Sequence, residues 1–268
     1  QTRFPLMDSE DHTFDNLGAA LDKVMWSAIG SPPAPIGYDA EGLRKLAAGA
    51  RALRQSTDRA IIGLFGGNLL EIGQFLFRND NFFMLLAGEP ARAHRFLDKL
   101  VEMHLANLEK FLSAVGPYID IILFGDDLGM QTGPQISPAM YREFFQPRHK
   151  LLWQTAKKLA NVKVMLHSCG GLYPLMPMFI ESGLDIVQPV QTSCTDMEPD
   201  RLKREFGRDI VLWGGGCDTR DVLPTGTPAQ VAEDVRQRLQ ILAPGGGYVF
   251  QQVHNVMANV PPGNVIAM

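Results

Sequence analysis

The feature that most constrains this chain is the alternation of short apolar runs with longer helical patterns. The runs are Ala60–Phe65, Ile119–Phe124, Val162–Leu166, Leu184–Val187, Asp209–Trp213 and Tyr248–Phe250, rich in Ile and Val with little polar alternation. Strands read this way when helices cover both faces of the sheet. Between them, Ala91–Val115 spaces Leu97, Leu100, Val101, Leu105, Leu108, Phe111 and Leu112 for one apolar helix face. A second helix is expected over Pro228–Leu242 with Thr227 as its N-cap, and a third from Pro138, turning Tyr141, Phe144 and Phe145 inward. Strand–helix repetition predicts an α/β fold of parallel strands joined by right-handed crossovers.

Two such folds compete, a doubly wound sheet and a (β/α)8 TIM-type barrel. Polar and glycine-rich residues follow nearly every strand: Gly66-Gly67-Asn68, Gly125-Asp126-Asp127, His167-Ser168-Cys169, Gln188, Gly214–Asp218 and Gln251–Asn255. A barrel collects its chemistry from successive βα loops at that end, whereas a doubly wound sheet concentrates it at one switch point. The barrel is therefore expected, as one domain over 1–268. Residues 1–58, with Ser31-Pro32-Pro33-Ala34-Pro35, read as an irregular or helical lead-in, and 59–268 as the strand-bearing part.

Composition excludes several functions. Lys plus Arg number 25 against 29 for Asp plus Glu, so no basic excess invites nucleic acid. The apolar runs are too short to span a bilayer, and no basic amphipathic stretch suggests a membrane surface. Three cysteines, an odd number, argue against a disulfide framework and for a reducing, cytoplasmic setting. A small-molecule substrate fits this balance.

The sharpest chemical signal is His167-Ser168-Cys169 directly after a strand. An imidazole and a thiol one residue apart suit a borderline-soft ion such as zinc, which needs at least one more protein ligand. Cys217 follows the next strand but one, and His254 follows the last; a three-ligand site with an open fourth position is the arrangement of a catalytic zinc. The competing reading makes these packed strand-end residues, and an isolated H-x-C is more often that. Asp126 and Asp127 offer acid/base or substrate contacts, with at most one functional carboxylate expected because adjacent side chains diverge; the alternative is a turn in which Asp caps the following segment. Asp126 and Glu71 are the candidate proton donors; Asp127, Gln188, Asp218 and Asn255 are candidate substrate contacts. Cys194 is a weaker candidate near the site. His12, His94, His104 and His149 read as structural or surface residues. Gly214-Gly215-Gly216 reads as a close approach of backbone to ligand, and Gly245-Gly246-Gly247 as a helix-to-strand turn. No dinucleotide fingerprint, phosphate loop, G-x-S-x-G or H-E-x-x-H occurs.

The segment Ser137–Pro147, the HSCGG at His167–Gly171, the WGGGCDT at Trp213–Thr219 and the YVFQQVHNV at Tyr248–Val256 together resemble the uroporphyrinogen decarboxylase superfamily. Within it they resemble the zinc-containing, corrinoid-dependent methyltransferase (O-demethylase-like) branch more than the decarboxylases, because H-x-C is the zinc motif of that branch. The resemblance implies a (β/α)8 barrel in which Ala60–Phe65 is the third strand, with two more before residue 1. It implies zinc held by His167, Cys169 and Cys217, and a corrinoid on a separate carrier protein, since no cobalamin-binding D-x-H-x-x-G occurs here. Zinc would activate the oxygen or sulfur atom that gives up or accepts a methyl group, in a methoxylated compound or a thiol. A homodimer is an expected assembly. One departure stands out: where these methyltransferases often place a third-ligand cysteine, this chain has Val253-His254-Asn255, so either Cys217 or His254 completes the site; Cys217 is preferred as ligand, with His254 beside the substrate as a catalytic group. A cofactor-free decarboxylase of a tetrapyrrole polycarboxylate is the alternative; it would need cations at the strand ends, where only Arg220 is evident. A non-catalytic binding barrel is a third reading.

Overall fold

The computed structural model describes residues 4–24 and 39–268; the Ser31–Pro35 run lies outside them. Each expected strand is present within about two residues: β1 Ile62–Gly66, β2 Ile121–Gly125, β5 Lys163–His167, β6 Ile186–Gln188, β7 Val211–Trp213 and β8 Tyr248–Val249. The remaining strands, β3 Gly129–Met130 and β4 Gly133–Pro134, form a two-residue antiparallel hairpin that the sequence reading did not anticipate. The chain divides into two units, Gln1–Asp126 with Ala139–Val164, and Asp127–Pro138 with Met165–Met268.

In the first unit β1 and β2 pair in parallel, Ile62 opposite Ile121 and Leu64 opposite Leu123. Their covering helix, Pro90–Val115, begins with proline in its first turn, where a missing N–H costs nothing. It buries Leu97, Leu100, Val101, Leu108, Phe111 and Leu112, while Leu105 stays half-exposed. The strand β1 departs from expectation: Ile62 and Leu64 are 38% and 37% exposed, so its two faces are unequal. Its packed face carries Gly63, where a Cβ would lie 2.7 Å from Ile119 Cδ1; the glycine leaves that room for the isoleucine. Phe65 meets Phe111 and Phe124 with centroids 5.7 and 5.3 Å apart, and Phe77, Phe82 and Phe96 form a second aromatic cluster.

The helix expected from Pro138 starts as Pro138–Met140, passes through a π turn at Tyr141–Phe145, and continues as Gln146–Leu159. Tyr141, Phe144 and Phe145 are all buried. A π turn inserts one extra residue, so residues eight apart across it lie as residues seven apart do on a regular helix. Tyr141 and His149 are thereby brought to one face.

In the second unit the end of β5, then β6, β7 and β8 run parallel. The register sets His167 opposite Gln188 and Trp213 opposite Val249, so polar residues share one end of this sheet. Helix Pro228–Leu242 opens with a capping box in which Thr227 and Gln230 satisfy each other's backbone N–H groups. It is followed by Gly245, Gly246 and Gly247, all at positive φ between 66 and 77°, which turn the chain into β8. Among the described residues no helix is long and apolar enough to cross a membrane.

Candidate metal centre

His167 is the last residue of β5, and the HSCGG loop after it is pinned at nearly every backbone group. Ser168 N donates to Gln188 O at 2.7 Å, and the Ser168 hydroxyl accepts from Leu128 N at 3.0 Å. Cys169 N donates to Asp127 Oδ1 at 2.8 Å and Gly170 N to Gln191 Oε1 at 2.8 Å. Gly129 N reaches Cys169 O at 3.1 Å, and Gly171 N reaches Met130 O at 2.8 Å. The loop thus lies against the β3–β4 hairpin. Gly170, at φ +94°, is needed there, because a Cβ would sit 2.3 Å from Gly129 C.

This scaffold brings the side chains of His167, Cys169 and His254 together. Cys169 Sγ lies 3.5 Å from His167 Nε2 and 3.3 Å from His254 Nε2, and the ligand atoms of all three fall within 4.8 Å of one another. All three side chains are half-buried. One sulfur and two imidazole nitrogens at that spacing could hold a single metal ion, and such a mixed N/S donor set is of the kind that suits zinc. Asp127 Oδ1 stands 3.9 Å from His167 Nε2.

The Cys217 thiol is elsewhere. It is fully buried in an apolar cluster with Leu223, Val231, Val235 and Val260. Burial, reinforced by the Asp234 and Asp218 carboxylates, pushes it up to about 12 and holds it as the neutral thiol. What Cys217 contributes to the centre is backbone: its carbonyl accepts from Val253 N at 2.9 Å, and Gly216 N donates to Gln251 O at 2.7 Å. The WGGGC turn therefore positions the segment that carries His254. Its glycines approach other parts of this chain, not an open site: a Cβ at Gly216 would lie 2.6 Å from the Phe250 ring.

The other sequence candidates fall in different surroundings. Gln188 Oε1 lies 2.6 Å from His167 Nδ1, so it serves a candidate ligand. The Asp218 carboxylate accepts from the N–H groups of Arg220, Asp221 and Val222 and caps that turn. Asn255 is exposed. Cys194 is buried 3.6 Å from Gln131 Oε1, and burial raises its thiol above the ordinary range.

Asp126 and Glu71 belong to the first unit. Asp126 is fully buried and accepts from Leu70 N and Glu71 N, each at 3.0 Å, at the start of helix Leu70–Phe77. The Glu71 carboxylate is bonded by the Asn68 amide. His149 Nε2 lies 3.3 Å from Asp126 Oδ2, its Nδ1 lies 3.1 Å from the Tyr141 hydroxyl, and its ring stacks on Trp153. Burial, then the Asp126 charge, holds the Tyr141 phenol well above its usual pKa. The phenol therefore keeps its proton, and the His149 ring lies between it and Asp126. His104 is buried beside this group with Nε2 3.0 Å from Asn68 O, and desolvation lowers it to about 4. The sequence reading placed His104 and His149 only among structural or surface residues. The Tyr141–His149 spacing was the available signal, and the π turn disguises it.

The model of the family described as uroporphyrinogen decarboxylase (URO-D) matches residues 40–268. The methylated-thiol–coenzyme M methyltransferase of Methanosarcina mazei is 32% identical over 150 residues, 56% of this chain and 36% of that protein. A solved structure of a methyltransferase from Methanosarcina mazei superposes with a TM-score of 0.64 at 17% identity, covering 86% of this chain and 65% of that one. The chain spans about a third of the length of the curated relative it matches. The fold class is α/β, the (β/α)8 barrel class anticipated from the strand-end pattern.

Proposed function

We propose, from the premise that this chain belongs to the uroporphyrinogen decarboxylase (URO-D) family, that it is a zinc-dependent methyltransferase moving a methyl group between a small methoxylated or thiol substrate and a corrinoid carrier protein. The observation that carries the reading is the convergence of His167, Cys169 and His254 to ligand atoms within 4.8 Å. In this reading His254, not Cys217, is the third ligand, because the Cys217 thiol is buried among aliphatic side chains and kept protonated.

His167, Cys169 and His254 would hold the zinc ion, which when bound would supply Lewis acidity at the substrate oxygen or sulfur that gives up or accepts the methyl group. The chain's own residues do the positioning. The Asp127 carboxylate holds the Cys169 backbone, Gln188 orients the His167 ring, and the Gly214–Cys217 turn anchors the strand end before His254. Rigid placement of this kind would hold the three donor atoms ready for the metal. The relative named for methylated thiols supports a thiol or thioether as one substrate class.

Metal content of the purified chain, by inductively coupled plasma mass spectrometry beside Cys169→Ser, tests the reading. About one zinc per chain, lost in the variant, is expected. Methylcobalamin formation from free cob(I)alamin with a methoxyarene or a methylated thiol is the companion assay. No zinc after zinc supplementation, and no methyl transfer from any donor, would sink the proposal.

A further inference from the structure

We propose that Trp213 fixes the tautomer of His167 through two glutamine amides, and so decides which imidazole nitrogen is turned, bare of a proton, toward Cys169 and His254. The tautomer follows from the hydrogen-bond geometry alone; its consequence for metal binding rests on the ligand reading above.

The polarity of the chain of contacts begins at the indole. An indole N–H can only donate. Trp213 Nε1 lies 2.7 Å from the terminal atom of Gln251, so that atom must be the amide oxygen. The same Oε1 receives a second contact, at 3.3 Å, from the amide of Gln188. An oxygen already accepting from the indole offers no proton, so Gln188 presents its NH2 there. Its carbonyl oxygen is then left for His167, 2.6 Å from Nδ1. A carbonyl only accepts, so Nδ1 carries the proton of the neutral ring. His167 Nε2 is consequently a bare lone pair, 3.5 Å from Cys169 Sγ.

Each link depends on strand order. His167 and Gln188 are register partners on β5 and β6, and Trp213 ends β7. Gln251 lies two residues past Val249, the register partner of Trp213. Without the indole both amides are free to flip. Asp127 Oδ1, 3.9 Å from Nε2, would then favour the opposite tautomer, with the proton where a metal bond would form. Trp213, Gln251 and Gln188 are on this account positioning residues; none of them touches the reacting atoms.

The test uses metal-free chain with 15N-labelled histidine, read by long-range 1H–15N correlation at about pH 8, above the ordinary imidazole pKa. Zinc affinity is measured alongside by competition with a chromophoric chelator. Wild type is expected to show His167 protonated at Nδ1. Trp213→Phe is expected to populate the Nε2-protonated form and to weaken zinc binding about tenfold. Gln251→Glu, whose carboxylate accepts from both Trp213 and Gln188, is expected to keep the wild-type tautomer, an outcome that a general packing role for Gln251 does not require. Gln188→Leu repeats the test at the other end of the relay should Trp213→Phe fail to fold. Wild type protonated at Nε2, or a folded Trp213→Phe that keeps the Nδ1 proton, overturns the proposal. A wild-type Nδ1 proton lost in Trp213→Phe, in a chain that binds no zinc, sustains the relay and removes the metal reading instead.

Discussion

Replacing Cys217 and His254 separately distinguishes the two candidates for third ligand, and their surroundings set the expected sizes. A thiol pushed up to about 12 must lose its proton before it can bind zinc. At pH 7 that removal costs about 7 kcal/mol at 1.36 kcal/mol per pKa unit, about 4 more than for a thiol at the usual 9. Cys217 is also packed among Leu223, Val231, Val235 and Val260, so a bond to metal would require that cluster to open. Cys217→Ser is therefore expected to leave zinc affinity within about threefold while lowering stability by about 1 kcal/mol, the cost of setting a hydroxyl among Leu223, Val231, Val235 and Val260 with the Asp218 carbonyl and Asp234 carboxylate beside it. His254→Ala should act in the opposite sense. Structural zinc sites bind with about 10–16 kcal/mol over four ligands, so losing one of them costs about 3 kcal/mol, or a hundredfold in Kd. Half-buried His254 is trimmed with little loss of fold. Chelator competition gives the affinities and urea denaturation the stabilities. A folded Cys217→Ser chain that no longer retains zinc, beside a His254→Ala chain that does, would refute the reasoning.

Other consequences can be measured on the same protein. His104, lowered to about 4 from 6.5, is neutral when folded, and the unfolded chain binds the extra proton between those values, so its contribution is complete above pH 6.5 and is lost as pH falls toward 4. Between pH 7.5 and 5 this amounts to about 2 kcal/mol, and urea titrations of wild type and His104→Gln should diverge by that much; equal pH dependence would contradict it. Thr227→Ala removes the side-chain acceptor of the capping box at helix Pro228–Leu242 and should cost about 1 kcal/mol in the same assay. Tyr248 carries a buried hydroxyl with no hydrogen-bond partner among the described residues. Tyr248→Phe is accordingly expected to be neutral or to stabilise by up to about 1 kcal/mol, and a clear loss of stability would show that the hydroxyl is paired.

Local order was legible in the residues themselves. A strand such as Ile121–Gly125 announces itself by four adjacent apolar residues, and helix Pro228–Leu242 by its Thr227 cap and first-turn proline. These are short-range signals, set by backbone sterics and by periodic burial within one element. The order of strands and helices, and the gathering of polar residues at strand ends, follow from them and were enough for the α/β barrel class. The H-x-C step after β5 likewise needs only a strand and the two residues beyond it.

What the tertiary structure decided was orientation. Asp126 and Asp127 are neighbours, yet one caps helix Leu70–Phe77 in a buried network and the other holds the Cys169 backbone. Cys217 and His254 both follow strands, and nothing in their order tells which side chain reaches Cys169. That depends on left-handed turns at Gly214 and Gly215, which send the Cys217 thiol into the apolar cluster while its carbonyl binds Val253 N. Cys169 and His254 meet across 85 positions of chain. Periodicity carries no information over such a span, because each intervening loop adds dihedral freedom that only packing resolves. Residue types and their placement at strand ends are therefore properties of the sequence, whereas the choice of which donors converge belongs to the folded chain.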